Sequence, residues 1–130
     1  MKALLDTHVF LWWIDDDSRL SASAKTIIEN SENQLFFSAA SAWEIAIKTQ
    51  LGKMRLPSNS NLDKFIATHL SLNGFEPLPI SLSHALHTAS FPSLHKDPFD
   101  RILIAQSRLE GLPLLTGDAL ITQYSVETIW

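Results

Sequence analysis

Cysteine is absent from the 130-residue chain. Without a thiol the protein has no disulfide framework, no thiolate metal site and no cysteine nucleophile, which suits a reducing compartment. The longest apolar runs fall far short of the roughly 20 residues of a membrane-spanning helix. The first residues also lack the basic and then apolar pattern of a secretory signal, because Asp6 interrupts the first apolar run. We therefore expect a cytoplasmic protein with no membrane association.

Positive charge is scarce as well. The chain has 10 Lys and Arg against 14 Asp and Glu, for a net charge of −4. This balance argues against broad electrostatic binding of nucleic acid. It does not exclude a nucleic-acid enzyme, since a few acids gathered around divalent cations would leave the remaining charge nearly balanced, and the cations would attract phosphate.

Apolar runs alternate along the chain with segments of helical periodicity. The runs predict strands at residues 2–5, 34–37, 75–80, 113–116 and 128–130. The periodic segments predict helices at 7–14, 22–29, 39–54, 62–72, from Ser81 or Ser83 to about residue 90, and 98–109. Leu56-Pro57 is expected to end the third helix, and Asp97-Pro98 to begin the last one.

Strands separated by helices imply parallel pairing through right-handed crossovers. The pattern therefore predicts one α/β domain over residues 1–130. We expect a central, mostly parallel sheet of four or five strands, with helices on both faces.

Four acidic residues fall where strands end or helices begin. Asp6 follows the first strand, Glu44 lies early in the helix after the second, and Asp118 follows the fourth. Asp100 lies at the start of the helix that precedes the fourth strand. Sites in open parallel sheets form outside the carboxyl ends of the strands, so we expect the four carboxylates to converge there.

Each acid also has a structural explanation when taken alone. Glu44 fits a capping box with Ser41, and Asp97 and Asp100 fit the N-cap and first turn of a helix. The two acids that follow strands can cap a helix or a turn. These explanations fit less well together, because all four acids would then reach one sheet edge by accident.

Clustered carboxylates repel one another unless they are protonated or neutralised. A hard divalent cation removes the repulsion, and carboxylate oxygens suit Mg²⁺ or Mn²⁺, whereas zinc would call for histidine or cysteine. Such a site favours metal-assisted phosphoryl transfer without a protein nucleophile.

Four stretches carry a family resemblance: LLDTH at 4–8, SAASAWEI at 38–45, HKDPFDRILIAQ at 95–106 and LTGD at 115–118. In this order and spacing the chain resembles the PIN-domain ribonucleases. Among them it is most similar to the VapC-like toxins of bacterial toxin–antitoxin pairs. The third stretch is the most specific of the four.

The resemblance implies a three-layer PIN-like sandwich and a metal-dependent endoribonuclease with one or two Mg²⁺ or Mn²⁺ ions. Carried over by position, the catalytic and metal-binding acids are Asp6, Glu44, Asp100 and the more variable Asp118. Thr116 matches a polar position that supports the metal site, and Asp97 is assigned a capping and positioning role. Gly117 departs from the basic or polar residue of many members. The resemblance also implies an RNA substrate, a homodimer and a cognate antitoxin that covers the active site.

Basic residues are candidates for contacts with RNA phosphates. Arg101 is the strongest of them because it neighbours Asp100, although it can instead pair with a local carboxylate. The remaining candidates are interpreted mainly as ordinary surface residues: Lys48, Lys53, Arg55 and Lys96.

Several aromatic and imidazole side chains have no assigned role. Trp12 and Trp13 cannot face the same way on a helix, so one is expected in the core and the other at a partner or RNA surface. His84 and His87 lie three residues apart and are interpreted as surface residues. His8 lies beside the first acid, and its role stays open.

Two alternatives compete with the ribonuclease. A phosphatase of the haloacid-dehalogenase type also has an aspartate after its first strand. It expects a second aspartate two residues later, where this chain has His8, and a later lysine that we cannot place. A binding module with an inactive site is the other alternative, and the complete set of acids argues against it.

Overall fold

The computed structural model describes residues 1–56 and 61–130. Within them the strands are β1 (Lys2–Leu5), β2 (Gln34–Ser38), β3 (Glu76–Leu78), β4 (Leu114–Leu115) and β5 (Thr128–Ile129). The helices are α1 (Thr7–Ile14), α2 (Ala22–Glu29), α3 (Ala39–Gln50), α4 (Leu62–Asn73), α5 (Leu82–His87) and α6 (Pro98–Glu110). Short 3₁₀ turns occupy Thr88–Ser90 and Ile121–Gln123. None of the helices in the described ranges is long and apolar enough to cross a membrane.

The strands form one sheet in the order β3-β2-β1-β4-β5, and every pairing is parallel. The predicted α/β fold is therefore confirmed. The chain builds outward from β1 through β2 to β3 and then returns to place β4 on the other side of β1. This reversal makes the β1–β4 boundary the topological switch point, where open α/β sheets form their binding crevices.

Successive residues of β1 point to opposite faces of the sheet, as strand geometry requires. Ala3 and Leu5 pack into one core with α1, α2, α4 and Ile45 of α3. Leu4 packs into the second core with α6 and Tyr124. Burial of β1 on both faces explains the apolar run that follows Lys2 in this strand, since a central parallel strand has no exposed face.

The start of α6 follows its sequence signal closely. Oδ1 of Asp97 accepts hydrogen bonds from the backbone N–H groups of Phe99 (2.9 Å) and Asp100 (3.3 Å). Pro98 occupies the first helical position, where its missing N–H costs nothing. Gly111 ends the helix in the left-handed conformation with φ 66°. The predicted start of this helix at Asp97-Pro98 is confirmed.

The third helix ends earlier than predicted. It stops at Gln50 rather than at residue 54. Gly52 adopts φ 73°, and Lys53 N donates to Lys48 O (2.9 Å) while Gly52 N donates to Thr49 O (3.1 Å). These bonds form a Schellman motif, which satisfies the last carbonyls and turns the chain away. Pro57, the expected terminator, lies outside the described residues.

The strands β3, β4 and β5 and the helix α5 are also shorter than predicted. β3 covers only Glu76–Leu78, because Pro77 and Pro79 lack the N–H groups that a longer ladder needs. α5 ends at His87, and the 3₁₀ turn continues to Ser90. β3 lies at one edge of the sheet, the position that tolerates proline.

Candidate metal centre

Asp6 lies directly after β1, at the switch point of the sheet. It occupies the N-cap position of α1, yet its side chain makes no capping bond. Its Oδ2 instead accepts a 2.7 Å hydrogen bond from Thr116 Oγ1, which follows β4. The side chain is buried, and its Oδ1 has no hydrogen-bond partner among the described residues. The capping explanation for Asp6 is therefore wrong.

Glu44 lies on α3 and is also buried. Its Oε2 accepts a 2.7 Å bond from Lys48 Nζ one turn later, while its Oε1 has no hydrogen-bond partner in the part of the chain that the structure describes. The helix begins at Ala39 and is capped by the side chain of Ser38, so Ser41 lies inside it. The capping-box explanation for Glu44 is wrong as well.

Buried polar contacts fix the elements that carry these acids. Thr7, next to Asp6, donates from Oγ1 to Ser41 Oγ at 2.8 Å and ties α1 to α3. Ser38 Oγ donates to Gln106 Oε1 at 2.5 Å and ties the start of α3 to α6. Hydrogen bonds between buried side chains hold elements in one arrangement, because an alternative packing would leave the groups unpaired.

Asp100 is buried in the first turn of α6. Its Oδ2 lies 2.6 Å from His95 Nε2. Burial raises the pKa of the Asp100 carboxyl to about 7, and the charges of Asp6, Asp97 and Glu44 add to the rise against the lowering effect of the His95 bond. A carboxyl with this pKa is poised between its neutral and charged forms at physiological pH.

The pKa of Asp6 is raised too, first by burial. The charges of Asp118 and Glu44 raise it further, whereas the Thr116 hydrogen bond and His8 lower it. The charges of Asp6 and Glu44 also raise the pKa of Asp100. These charge effects place the four acids in the same region of the molecule, although they come from four separate segments of the chain.

Asp118 lies at the half-exposed rim of this site. Its backbone N–H donates to Thr116 Oγ1 at 3.1 Å, and its Oδ1 accepts from Leu120 N at 2.9 Å. Asp118 thus has the turn role expected of it and also stands close enough to act electrostatically on Asp6. The hydroxyl of Thr116 links the two acids.

The donor set fits a hard divalent cation. Two buried carboxylate oxygens, Asp6 Oδ1 and Glu44 Oε1, have no hydrogen-bond partner within residues 1–56 and 61–130. An unpaired buried charge is costly, and a cation shared by the two oxygens would remove that cost. Oxygen donors of this type suit Mg²⁺ or Mn²⁺.

A family model described as PIN domain matches residues 3–126. The chain belongs to the PIN-domain family. It is similar to Ribonuclease VapC22 of Mycobacterium tuberculosis (strain ATCC 25618 / H37Rv), with 34% identity over 117 residues that cover 88% of this chain and 85% of that protein. Ribonuclease VapC16 of the same organism is 36% identical over 73 residues, which cover 53% of this chain and 50% of that protein. The resemblance to VapC-like PIN domains is confirmed, and the haloacid-dehalogenase alternative does not apply.

Solved structures share the fold of this PIN domain. A structure of FitAB bound to an IR36 DNA fragment has a TM-score of 0.68 at 19% identity, covering 99% of this chain and 94% of that one. The crystal structure of VapBC2 from Rickettsia felis, bound to a DNA fragment from their promoter, also has a TM-score of 0.68, at 13% identity with 100% and 98% coverage. At these identities the likeness establishes the architecture alone.

Arg101 has a different environment from the one expected. Its guanidinium donates to the carbonyl oxygens of Thr88 (2.6 Å), Pro92 (3.1 Å) and His95 (3.4 Å), and to Tyr124 Oη (3.2 Å). It therefore holds the connection before α6, in place of a phosphate approach or a carboxylate pair. Lys48, another candidate for phosphate contact, is bound to Glu44.

His95 is the residue that sequence reasoning missed. It begins the HKDPFDRILIAQ stretch, and its ring offers a nitrogen within 4.8 Å of carboxylate oxygens of Asp97 and Asp100. The sequence does place this imidazole five residues before Asp100, a predicted metal ligand, and that proximity was the only indication of a contact. The spacing alone does not reveal the contact, because the intervening turn decides where the ring lies.

The environments of Trp12 and Trp13 differ in part from those expected. Trp12 and Trp13 are both half-buried, so neither is a fully buried core residue. Trp13 Nε1 donates to Asn73 Oδ1 at 2.9 Å, and Trp12 lies under Arg19. Both side chains pack against the core that contains Leu5, so the expected division into one core and one surface tryptophan is not seen.

His84 is buried, contrary to the surface expectation. Its Nδ1 accepts from Ser81 N at 3.0 Å, and its Nε2 contacts Glu110 Oε1 at 2.8 Å. Both ring nitrogens are thus engaged within the protein. His8, by contrast, is exposed and acts on Asp6 through its charge.

Proposed function

We propose that this PIN domain is a divalent-metal-dependent endoribonuclease whose active centre is formed by Asp6, Glu44, Asp100 and Asp118. The observation that carries the proposal is the pair of buried, unpartnered oxygens on Asp6 and Glu44. They lie beside a third buried carboxyl whose pKa is raised to about 7. Structural acids are normally paired, so this arrangement is better explained by a cation than by folding.

The residues divide into those that hold the cation and those that support them. Asp6, Glu44 and Asp100 supply oxygens from the centre of the site, and Asp118 supplies one from its rim. Thr116 keeps Asp6 in one orientation through its hydroxyl. When bound, one or two Mg²⁺ or Mn²⁺ ions would activate water and stabilise charge on the phosphate. RNA is the proposed substrate because the relatives VapC22 and VapC16 are named ribonucleases.

The proposal extends to protein partners. The VapC-like resemblance implies a homodimer and a cognate antitoxin that covers the active site, so that growth inhibition by RNA cleavage is controlled. The solved FitAB and VapBC2 structures support a partner of this kind. Co-expression with the product of any small reading frame adjacent to this gene, followed by co-purification and light scattering, tests both assemblies.

The decisive experiment compares Asp6→Asn with Asp63→Asn. Asp6→Asn removes one central charge at nearly constant shape. Asp63→Asn makes the same change at an exposed acid of α4. Cleavage of total RNA by purified protein is followed with Mg²⁺, with Mn²⁺ and with EDTA.

We expect cleavage by the wild type with either ion and none with EDTA. Asp6→Asn should lose more than about 100-fold in rate, beyond the effect of losing an outer partner of a metal ligand. Asp63→Asn should match the wild type. Equal cleavage by Asp6→Asn and wild type would refute the site, and absence of any metal-dependent cleavage would favour an inactive binding module. Sequencing of the RNA ends then identifies the substrate and cleavage position.

A further inference from the structure

His95 contacts one of the proposed metal ligands directly. Its Nε2 lies 2.6 Å from Asp100 Oδ2. An ionised carboxylate can only accept, so the ring must carry its proton on Nε2 and donate it to Asp100 when that acid is charged. Bonds of this kind to a charged oxygen are short and strong.

The backbone of His95 is held on both of its polar groups by one hydroxyl. Its N–H donates to Tyr124 Oη at 2.7 Å, and Tyr124 Oη donates to its carbonyl at 3.2 Å. Tyr124 is buried and comes from the segment between β4 and β5. This double contact fixes the position from which the imidazole reaches the site.

Arg101 completes the restraint from the α6 side. Its guanidinium bonds the carbonyl of His95 and two earlier carbonyls of the α5–α6 connection, residues 88–97. It also donates to Tyr124 Oη, which stands in contact with Phe91. The α5–α6 connection contains no β-strand, and the bonds of Arg101 tie it to the helix that bears Asp100.

We propose that His95 is a positioning residue for Asp100, held in place by Tyr124 and Arg101. The bond to Oδ2 restrains rotation of the Asp100 carboxylate and leaves Oδ1 for the cation. Outer partners of metal ligands orient them in this way, and their loss weakens metal affinity or activity about 10–100-fold. The inference rests on the proposed function, because it assigns a role within the same site.

The test measures metal binding to the metal-free protein by calorimetry, separately with Mn²⁺ and with Mg²⁺. The variants are His95→Ala, His95→Gln, Tyr124→Phe and the Tyr124→Phe/His95→Ala double variant. His69→Ala is the matched control, since His69 lies on α4 and packs on Phe65. RNA cleavage and thermal unfolding are recorded for each protein.

We expect His95→Ala to weaken the binding of both ions by the same factor, about 10–100-fold. His95→Gln should recover most of the affinity, since its amide can donate from a position close to Nε2. Tyr124→Phe should weaken binding in the same direction. The double variant should be no worse than His95→Ala, because the hydroxyl acts through His95. His69→Ala should bind as the wild type does.

Four results would overturn the inference. Unchanged affinity in His95→Ala refutes any role at the site. A loss confined to Mn²⁺ makes His95 a direct ligand, since imidazole favours transition metals over Mg²⁺. Additive losses in the double variant separate Tyr124 from His95. If His95→Ala does not fold, the metal affinity of His95→Gln is compared with that of the shorter His95→Asn. Equal affinities of these two variants would refute the inference. Failure of the wild type to bind metal or cleave RNA would instead refute the proposed function.

Discussion

Asp6 and Thr116 are 110 residues apart in the chain and joined by a 2.7 Å hydrogen bond. Leu5 of β1 pairs with Leu115 of β4, so each of the two residues is the first beyond a paired position. The same hydroxyl accepts a 3.1 Å bond from the N–H of Asp118. One threonine therefore connects the first acid of the site to the loop that carries the fourth.

Replacement of Thr116 by valine removes this hydroxyl at nearly constant volume. We expect Thr116→Val to raise the pKa of Asp6 further, because the lost bond is one that lowers it. Metal affinity should fall about tenfold or more, as for other outer partners of metal ligands. Thr116→Ser, which keeps the hydroxyl, should retain most of the affinity. Calorimetric titration with Mn²⁺ measures the difference, and equal weakening in both variants would point to lost packing instead.

Asp100 should give the metal-free protein a pH dependence opposite to ordinary acid denaturation. Its pKa is about 7 in the folded state, against an ordinary value of 3.8 for an aspartic acid. Between these values the folded protein holds a proton that the unfolded chain releases, so this stabilising contribution is lost as the pH rises towards 7. The unfolding midpoint in urea with EDTA should therefore fall from pH 5 to pH 8.

Two controls identify the group responsible. Asp100→Asn should flatten the profile, because no proton is exchanged at that position. Saturating Mn²⁺ should oppose the fall, since metal binding requires the ionised carboxylate. A wild-type profile that Asp100→Asn leaves unchanged would assign the dependence to other groups.

Lys48 should contribute most to folding stability when no cation is bound. It is the one hydrogen-bond partner that the structure shows for the Glu44 carboxylate, at 2.7 Å. Lys48→Met leaves a buried carboxylate unpaired, so we expect the free energy of unfolding to fall by about 1 kcal/mol or more. The partial exposure of the lysine limits this loss. Saturating Mn²⁺ should reduce the difference, because the cation then neutralises Glu44.

The matched control for this variant is Lys25→Met. Lys25 forms an exposed pair with Asp16 at 3.3 Å. Loss of such a surface pair should cost less than about 0.5 kcal/mol with or without metal. Urea denaturation of both variants provides the comparison, and equal losses would show that Glu44 does not depend on Lys48.

Gly117 should not tolerate a side chain while Trp130 is in place. A Cβ atom at Gly117 would lie 2.6 Å from Cε2 of the Trp130 ring. Gly117→Ala should therefore displace the ring at a cost of about 1–3 kcal/mol, typical of overpacking. In the Trp130→Ala background the same substitution should cost much less, which a double-mutant cycle in urea detects as non-additivity. Additive effects would show that the contact is unimportant.

Much of the fold was predictable because its signals are local. Apolar periodicity places the alternating strands and helices, and Asp97-Pro98 with Gly111 marks both ends of α6. Parallel order then follows from alternation, since strands joined through helices must pair in parallel. The placement of Asp6 and Glu44 at one edge follows in turn, because parallel strands end at the same edge, and Asp100 is expected there because its helix begins at that edge before returning to β4.

Only the tertiary structure decided which partner each of these side chains has. Glu44 binds Lys48 and does not cap its helix, Arg101 holds carbonyl oxygens, and His95 reaches Asp100. Side-chain torsions and loop paths are set by contacts between residues far apart in sequence, and no local pattern encodes those. The sequence by itself thus determined where the acids would meet, and packing around them decided which oxygens remain free for a cation.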